Sequence, residues 1–149
     1  MQVDGEFRVR ASPDQVFAFF VNPTRLLDSL DDPHTVEAID SEHFRGTITT
    51  GVAFIRGTFR YTGTYEEREP GRRLKTRMHG TGLGSGLDAV LTAELSDADG
   101  GTKVRWQADI VLSGPVATIG ERLVRSTIDK KTASLFENAR RILEGAPSA

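Results

Sequence analysis

Polar and apolar residues alternate along much of the chain, which is the period of a half-buried β-strand. The first alternating stretch covers residues 3–10, where Val3, Phe7 and Val9 share one parity and charged residues dominate the other. Six further stretches lie at residues 34–40, 43–50, 53–67, 72–79, 86–96 and 102–113. Turn-forming residues separate them, so the pattern predicts an antiparallel meander of about seven strands.

Two short helices are predicted directly after the first strand. Ser12 and Gln15 have the spacing of a capping box, and Pro13 suits the first helical position. This helix should end before Pro23, because the residue that precedes a proline avoids the helical region. A second short helix is predicted over residues 23–30.

The apolar period changes to three and four residues from residue 115 to about 144, which predicts one long amphipathic helix. Gly114 and Pro115 precede it, and Gly145 follows it. Its apolar face consists of Val116, Ile119, Leu123, Thr127 (or Ile128), Leu135, Ala139 and Ile142. The chain is predicted to form a single domain over residues 1–149, with residues 145–149 as a frayed tail.

These elements predict an α+β fold in which a curved antiparallel sheet wraps around the long C-terminal helix. Seven strands span about 33 Å at about 4.8 Å each, whereas one helix is only about 10 Å wide. The uncovered concave face must therefore be filled by large side chains or left as a cavity. Small residues at inward positions either leave such a cavity or allow the helix to approach closely; they are Gly46, Gly57, Gly63, Ala89, Ala93 and Ala108.

Strand parity and the apolar face of the helix give the residues expected to contact a ligand in this cavity. Tyr61, Tyr65 and Trp106 each combine an apolar ring with a polar atom that can hydrogen-bond a ligand, although such residues also serve as ordinary core. The expected ligand-binding residues are Phe59, Tyr61, Tyr65, Met78, Ala89, Leu91, Trp106, Ala108, Ile119, Leu123 and Thr127.

Composition excludes several classes of function. Lys and Arg number 19 and Asp and Glu number 21, so the net charge of −2 gives no electrostatic basis for binding nucleic acid. Cysteine is absent, and the three His lie far apart in the sequence, so no metal site and no cofactor are predicted. The first residues do not resemble a signal peptide and no apolar run spans a bilayer, which predicts a cytoplasmic protein.

No catalytic residues are predicted. The inward positions carry no Asp, Glu, His or Lys, and no serine has partners at a triad spacing. The glycine-rich run at residues 79–86 does not open a helix, so it indicates a hairpin loop or a mobile lip of the cavity and not a phosphate site. The pattern therefore favours binding over catalysis.

Three stretches carry a resemblance to a known family, at residues 57–63, 101–106 and 114–123. With residues 134–138 they make the chain similar to the carbon monoxide dehydrogenase CoxG-like family, within the START-like helix-grip (SRPBCC) superfamily. The resemblance covers about residues 6–143. It implies a helix-grip fold with an internal hydrophobic cavity for lipids, quinones, polyketides or similar molecules.

The expected function is that of a binding or carrier protein for a small hydrophobic ligand held between the sheet and the final helix. One alternative is a cyclase or dehydratase acting on such a ligand, and another is an accessory factor in the assembly of a molybdenum hydroxylase. A weak contact of the final helix with a membrane surface and a homodimer are further possibilities. The sequence ends at Ala149 without the membrane-associating tail of full-length family members, so a direct anchoring role is not expected.

Overall fold

The computed structural model describes residues 1–145 and contains one seven-stranded antiparallel sheet. The strand order is β1-β7-β6-β5-β4-β3-β2, so every strand except β1 pairs with its neighbours in sequence. The strands are β1 (Gln2–Val9), β2 (His34–Ala38), β3 (His43–Val52), β4 (Ile55–Glu69), β5 (Arg73–Gly82), β6 (Ser85–Ala98) and β7 (Gly101–Ser113). The predicted α+β class and meander are confirmed.

Two short helices, α1 (Pro13–Phe20) and α2 (Pro23–Leu27), follow β1 as predicted. The Ser12 hydroxyl accepts a hydrogen bond from the Gln15 amide at 3.2 Å, and the Gln15 side chain accepts one from the Ser12 amide at 3.1 Å. This capping box satisfies amides that the first turn leaves without helical partners. The second helix is three residues shorter than predicted.

The prediction of one continuous helix from residue 115 is wrong. A single turn, α3 (Pro115–Thr118), is followed by a break and then by the long helix α4 (Glu121–Leu143). Gly120 has φ of +104°, which is incompatible with a helix and ends its continuity. Of the predicted frayed tail, only Gly145 belongs to the described residues; residues 146–149 lie outside them.

The main core lies where α1 and α2 close one side of the sheet against the C-terminal half of α4. Phe19 is fully buried there, and Phe7 stacks on Phe136 of α4 with ring centroids 4.1 Å apart. The N-terminal half of α4 buries only Val124. The concave face of the sheet is thus sealed at one part and less densely filled at the other.

Candidate ligand cavity

A cavity of about 310 Å³ lies between the concave face of β5 to β7 and α4. This size is at the lower end of the range for small-molecule sites. Its sheet side is formed by Leu74, Thr76, Met78, Ala89, Leu91, Thr92, Ala93, Val104, Trp106, Ala108 and Ile110, with Phe44 and Tyr65 beside them. Phe20, Leu26 and Leu27 of the short helices and Ile128, Thr132, Leu135 and Phe136 of α4 complete the lining.

The lining is apolar and carries no Asp, Glu, His, Lys or Arg. Its polar side chains are three threonines, Tyr65 and the indole of Trp106. The hydroxyl of Thr132 donates to the backbone oxygen of Ile128 and is therefore already paired. Few groups remain that could hold water, so the cavity suits an apolar occupant.

Small side chains on two adjacent strands keep this space open. Ala89 and Ala93 of β6 and Ala108 of β7 all line the cavity, as the strand parity predicts. Leu91 lies between the two alanines on the same face and pairs with Ala108, yet its side chain is 37 % exposed. The neighbours of Leu91 are thus too short to cover it, and its exposed surface faces the cavity.

The glycines of β3 and β4 do not open space, contrary to one of the two interpretations of the sequence. A Cβ on Gly63 would lie 2.6 Å from Cε1 of Phe44, because the Phe44 ring covers this glycine. At Gly46 a Cβ would lie 2.5 Å from the hydroxyl of Tyr61. Larger neighbours therefore occupy both positions, and no glycine lines the cavity.

Tyr61 and Tyr65 anchor the structure beside the cavity through their hydroxyl groups. Tyr61 donates to the backbone oxygen of Thr35 at 2.7 Å, and Tyr65 donates to that of Phe20 at 3.4 Å. Burial raises the pKa of Tyr61 to about 12 and raises the pKa of Tyr65 as well, so both phenols are neutral at physiological pH. Their protons hold backbone and are not free for a ligand.

A second, smaller groove of about 190 Å³ continues along the concave face from the cavity. Met78 lines both spaces and separates them. Phe59 and Tyr61, two of the expected ligand-binding residues, line this groove and not the cavity. The groove extends to Val52 at the end of β3 and to Val116 in α3.

The three helix residues expected to contact a ligand lie outside the cavity. Ile119 precedes the break at Gly120, and Leu123 is 50 % exposed. Thr127 lines a separate polar cleft. The break changes the phase of α4, so that its cavity face runs through Ile128, Thr132, Leu135 and Phe136. Sequence reasoning missed Thr132 and Phe136, although a period begun at Ile128, the alternative to Thr127, passes through both.

A polar loop fastens α4 over the cavity on the side of the cleft. Lys131 forms an ion pair with Asp32 at 2.6 Å, and Ser134 donates to Asp31 at 2.7 Å. The hydrogen bonds from Ser134 and then Asn138 lower the pKa of the Asp31 carboxyl. Leu135 lines both the cleft and the cavity, so this loop and α4 form the wall between them.

Titratable groups elsewhere on the sheet do not converge on a site. His79 lies on the outer face, as predicted, and its Nδ1 is 2.7 Å from Asp88. Within residues 1–145, no three His, Asp or Glu side chains are placed so that they could hold a metal ion. None of the helices in the same range is long and apolar enough to cross a membrane.

Solved structures share this architecture over nearly the whole chain. A conserved protein from Geobacillus kaustophilus is 17 % identical and aligns with a TM-score of 0.89, covering 96 % of this chain and 95 % of its own. A protein from Mycobacterium smegmatis is 9 % identical with a TM-score of 0.74, over 97 % and 92 % of the two chains. One from Chromobacterium violaceum is 12 % identical with a TM-score of 0.73, over 96 % and 97 %. At these identities the likeness shows the fold alone.

The sequence itself matches a protein-family model over most of its length. The model describes CoxG, a component of carbon monoxide dehydrogenase, and matches residues 5–144. No curated protein matches the chain. The family and the helix-grip fold are consistent with a role in small-ligand binding or an accessory role. Since the match covers nearly the whole sequence, the chain belongs to the carbon monoxide dehydrogenase CoxG family.

Proposed function

We propose that the protein binds and carries a small, mostly apolar molecule of lipid, quinone or polyketide type in the cavity between β5 to β7 and α4. The observation that carries this proposal is the lining: about 310 Å³ of space without a charged side chain. Burial of an apolar ligand there contributes about 25 cal/mol per Å² of surface removed from water.

The free-energy cost of an empty cavity supports an occupant. At about 24 cal/mol per Å³, a value found for engineered cavities, 310 Å³ of unfilled space costs on the order of 7 kcal/mol. That is comparable with the whole net stability of a domain, about 5–15 kcal/mol. A ligand that fills the space recovers part of this cost.

The cyclase or dehydratase alternative receives less support from the cavity. Such a reaction needs a titratable group beside the substrate with a pKa suited to proton transfer. Tyr65 is the titratable side chain in the lining, and burial raises its pKa while its proton is engaged by Phe20. Binding without catalysis is therefore the preferred function.

An accessory role beside a molybdenum hydroxylase is a second proposal, and it rests on the description of the family. Affinity purification of the tagged protein from its host tests it. Co-elution of a molybdenum hydroxylase in stoichiometric amount supports the role. Its absence, in cells that express such an enzyme, contradicts it.

The carrier proposal is tested by native mass spectrometry of protein purified from its own host, followed by thermal-shift measurements with fatty acids and a naphthoquinone. A ligand at about 100 times its Kd adds about 2.7 kcal/mol of stability. For a domain of this size this corresponds to a rise in Tm of about 5–10 °C. We expect a co-purifying apolar mass and a shift of this order with at least one probe.

Two alanine-to-leucine variants localise the binding. Ala93 lines the cavity, whereas Ala133 is exposed on α4. Ala93→Leu should abolish the thermal shift, because its side chain occupies the ligand's volume, and Ala133→Leu should keep it. Equal shifts in both variants, or no shift and no co-purifying mass in the wild type, contradict the proposal.

A further inference from the structure

One end of the sheet exposes apolar side chains at the tips of its hairpins. We call this region the apolar end; it comprises the turns at residues 53–54 and 83–84 and the segment 115–123 after β7. Phe54 is 80 % exposed at the first tip, Leu83 is 52 % exposed at the second, and Leu123 lies half-exposed in the first turn of α4. Such side chains cost free energy in water, so several at one end call for an explanation.

The opposite end of the same sheet has polar tips. Its turns comprise residues 40–42, 70–72 and 99–100, with the sequences Asp-Ser-Glu, Pro-Gly-Arg and Asp-Gly. Ile39, which is 51 % exposed, precedes the first of these turns. Three neighbouring turns thus place charged side chains where the apolar end places Phe and Leu.

The elements of the apolar end contact one another and form one surface. A Cβ built on Gly57 would lie 2.7 Å from Cδ1 of Leu83, so Leu83 folds over β4 close to the tip that carries Phe54. A Cβ on Gly84 would lie 3.8 Å from Cδ of Pro115. The tip at residues 83–84 therefore bridges the other hairpin and the start of α3.

Backbone conformation gives a second, independent observation at the same tips. Ala53 has φ of +54° and Leu83 has φ of +53°, and no other non-glycine residue of the described range has a positive φ. Glycine, asparagine or aspartate adopts this conformation at lower cost in a two-residue turn. A leucine there spends conformational energy to keep an apolar side chain at the tip, as strained residues at functional sites do.

The charges that flank the apolar end are mainly positive. Arg56 and Arg122 have no carboxylate within 4.0 Å among residues 1–145, while Arg125 is paired with Glu121 at 2.9 Å. Two unpaired guanidinium groups beside apolar tips are complementary to a surface that is apolar inside and negatively charged at its boundary. A bilayer containing anionic lipids has that structure.

We propose that the apolar end docks on the surface of an anionic lipid bilayer, with Phe54, Leu83 and Leu123 in the headgroup region and Arg56 and Arg122 facing lipid phosphates. Separate projecting tips enter a soft interface more readily than they fit one rigid protein surface. The 190 Å³ groove runs from Val52, beside the first tip, towards Met78 and the cavity. The docking stands by itself; the use of the groove as a path for the ligand rests on the proposed function.

Co-sedimentation of the full chain with vesicles tests the docking, without any added ligand. The vesicles contain phosphatidylcholine alone or phosphatidylcholine with about 30 % phosphatidylglycerol. We expect binding to the anionic vesicles to be at least about tenfold tighter at low salt than to the neutral ones, and to weaken as salt rises. Phe54→Ser and Leu83→Asn should each reduce binding about tenfold, since each removes an inserted apolar side chain.

The controls separate docking from folding. Leu83→Asn suits the positive φ of its position, so this variant should fold normally. Ile39→Ser removes an equally exposed apolar side chain at the opposite end and should bind vesicles as the wild type does. No binding of the wild type to anionic vesicles, or equal losses in Ile39→Ser and Phe54→Ser, overturns the proposal.

Two further results are decisive. A dimer in sedimentation velocity that Phe54→Ser dissociates assigns the apolar end to contacts between copies and overturns docking on lipid. A protein that binds vesicles but no apolar ligand keeps the docking and contradicts the carrier function. The two proposals therefore fail separately.

Discussion

The concave face of the sheet has two halves that use small residues in opposite ways. On β3 and β4, Gly46 and Gly63 make room for Tyr61 and Phe44, and the space is filled. On β6 and β7, Ala89, Ala93 and Ala108 line the space in front of α4, and a cavity of about 310 Å³ remains. A small residue opens space only where no neighbour is long enough to reach it.

This comparison predicts its largest effect at Gly63. Gly63→Ala adds one methyl group that would lie 2.6 Å from Cε1 of Phe44, whose ring is 2 % exposed and cannot move aside. We expect the free energy of unfolding to fall by about 2–3 kcal/mol, as for overpacking in a dense core. Urea denaturation measures this difference.

Gly80→Ala is the matched control for Gly63→Ala. Gly80 lies on the same concave face, but the nearest atom to an added Cβ is 3.6 Å away. Its replacement should change the free energy of unfolding by less than about 0.5 kcal/mol. Similar losses at both glycines would mean that the filled half is no tighter than the rest.

The next effect concerns the hydrogen bond that holds the filled half to β2. Tyr61→Phe keeps the ring but leaves the Thr35 carbonyl without its donor at 2.7 Å. The expected loss is about 1 kcal/mol. An unchanged midpoint in urea would contradict a structural role for this hydroxyl.

The same tyrosine gives a pH dependence. The phenol of an unfolded chain loses its proton near pH 10, whereas burial raises the pKa of Tyr61 in the folded protein to about 12. The unfolded state therefore binds fewer protons in this range, and stability should fall as the pH rises from about 10 to 12. In Tyr61→Phe this fall should be shallower, and an equally steep fall would contradict the assignment.

The smallest effect on stability is expected in the open half. Ala93→Leu adds three carbon atoms, yet the cavity has space for them, so the free energy of unfolding should stay within about 1 kcal/mol of the wild type or rise. A loss as large as that of Gly63→Ala would show that the open half is in fact filled. Thermal unfolding of the two variants side by side makes the comparison.

The sequence was sufficient for the fold because alternation and turn residues are local signals. Strand parity also placed Met78, Leu91 and Trp106 on the concave face, where the cavity lies. It could not show that Phe44 covers Gly63, because this contact depends on the rotamer of a residue on another strand. Parity therefore finds the face of a site, and packing between strands decides where the site is open.

The helix shows a different limit. Gly120 has few local signals that distinguish a tolerated helical glycine from a break, and its φ of +104° shifts the face of α4. The residues Leu123 and Thr127 were placed by a period that began in α3 and does not continue across the break. Thr132 and Phe136 take their place in the cavity lining.

Fluorescence of Trp106 tests the central claim most directly. It is the single tryptophan of the chain, and its ring lines the cavity 5.7 Å from the ring of Phe136. Titration with a naphthoquinone or a long-chain fatty acid should change its emission to saturation at one ligand per chain, and Ala93→Leu should abolish the change while Ala133→Leu keeps it. Emission that no probe changes saturably, or that changes equally in both variants, would contradict a ligand in this cavity.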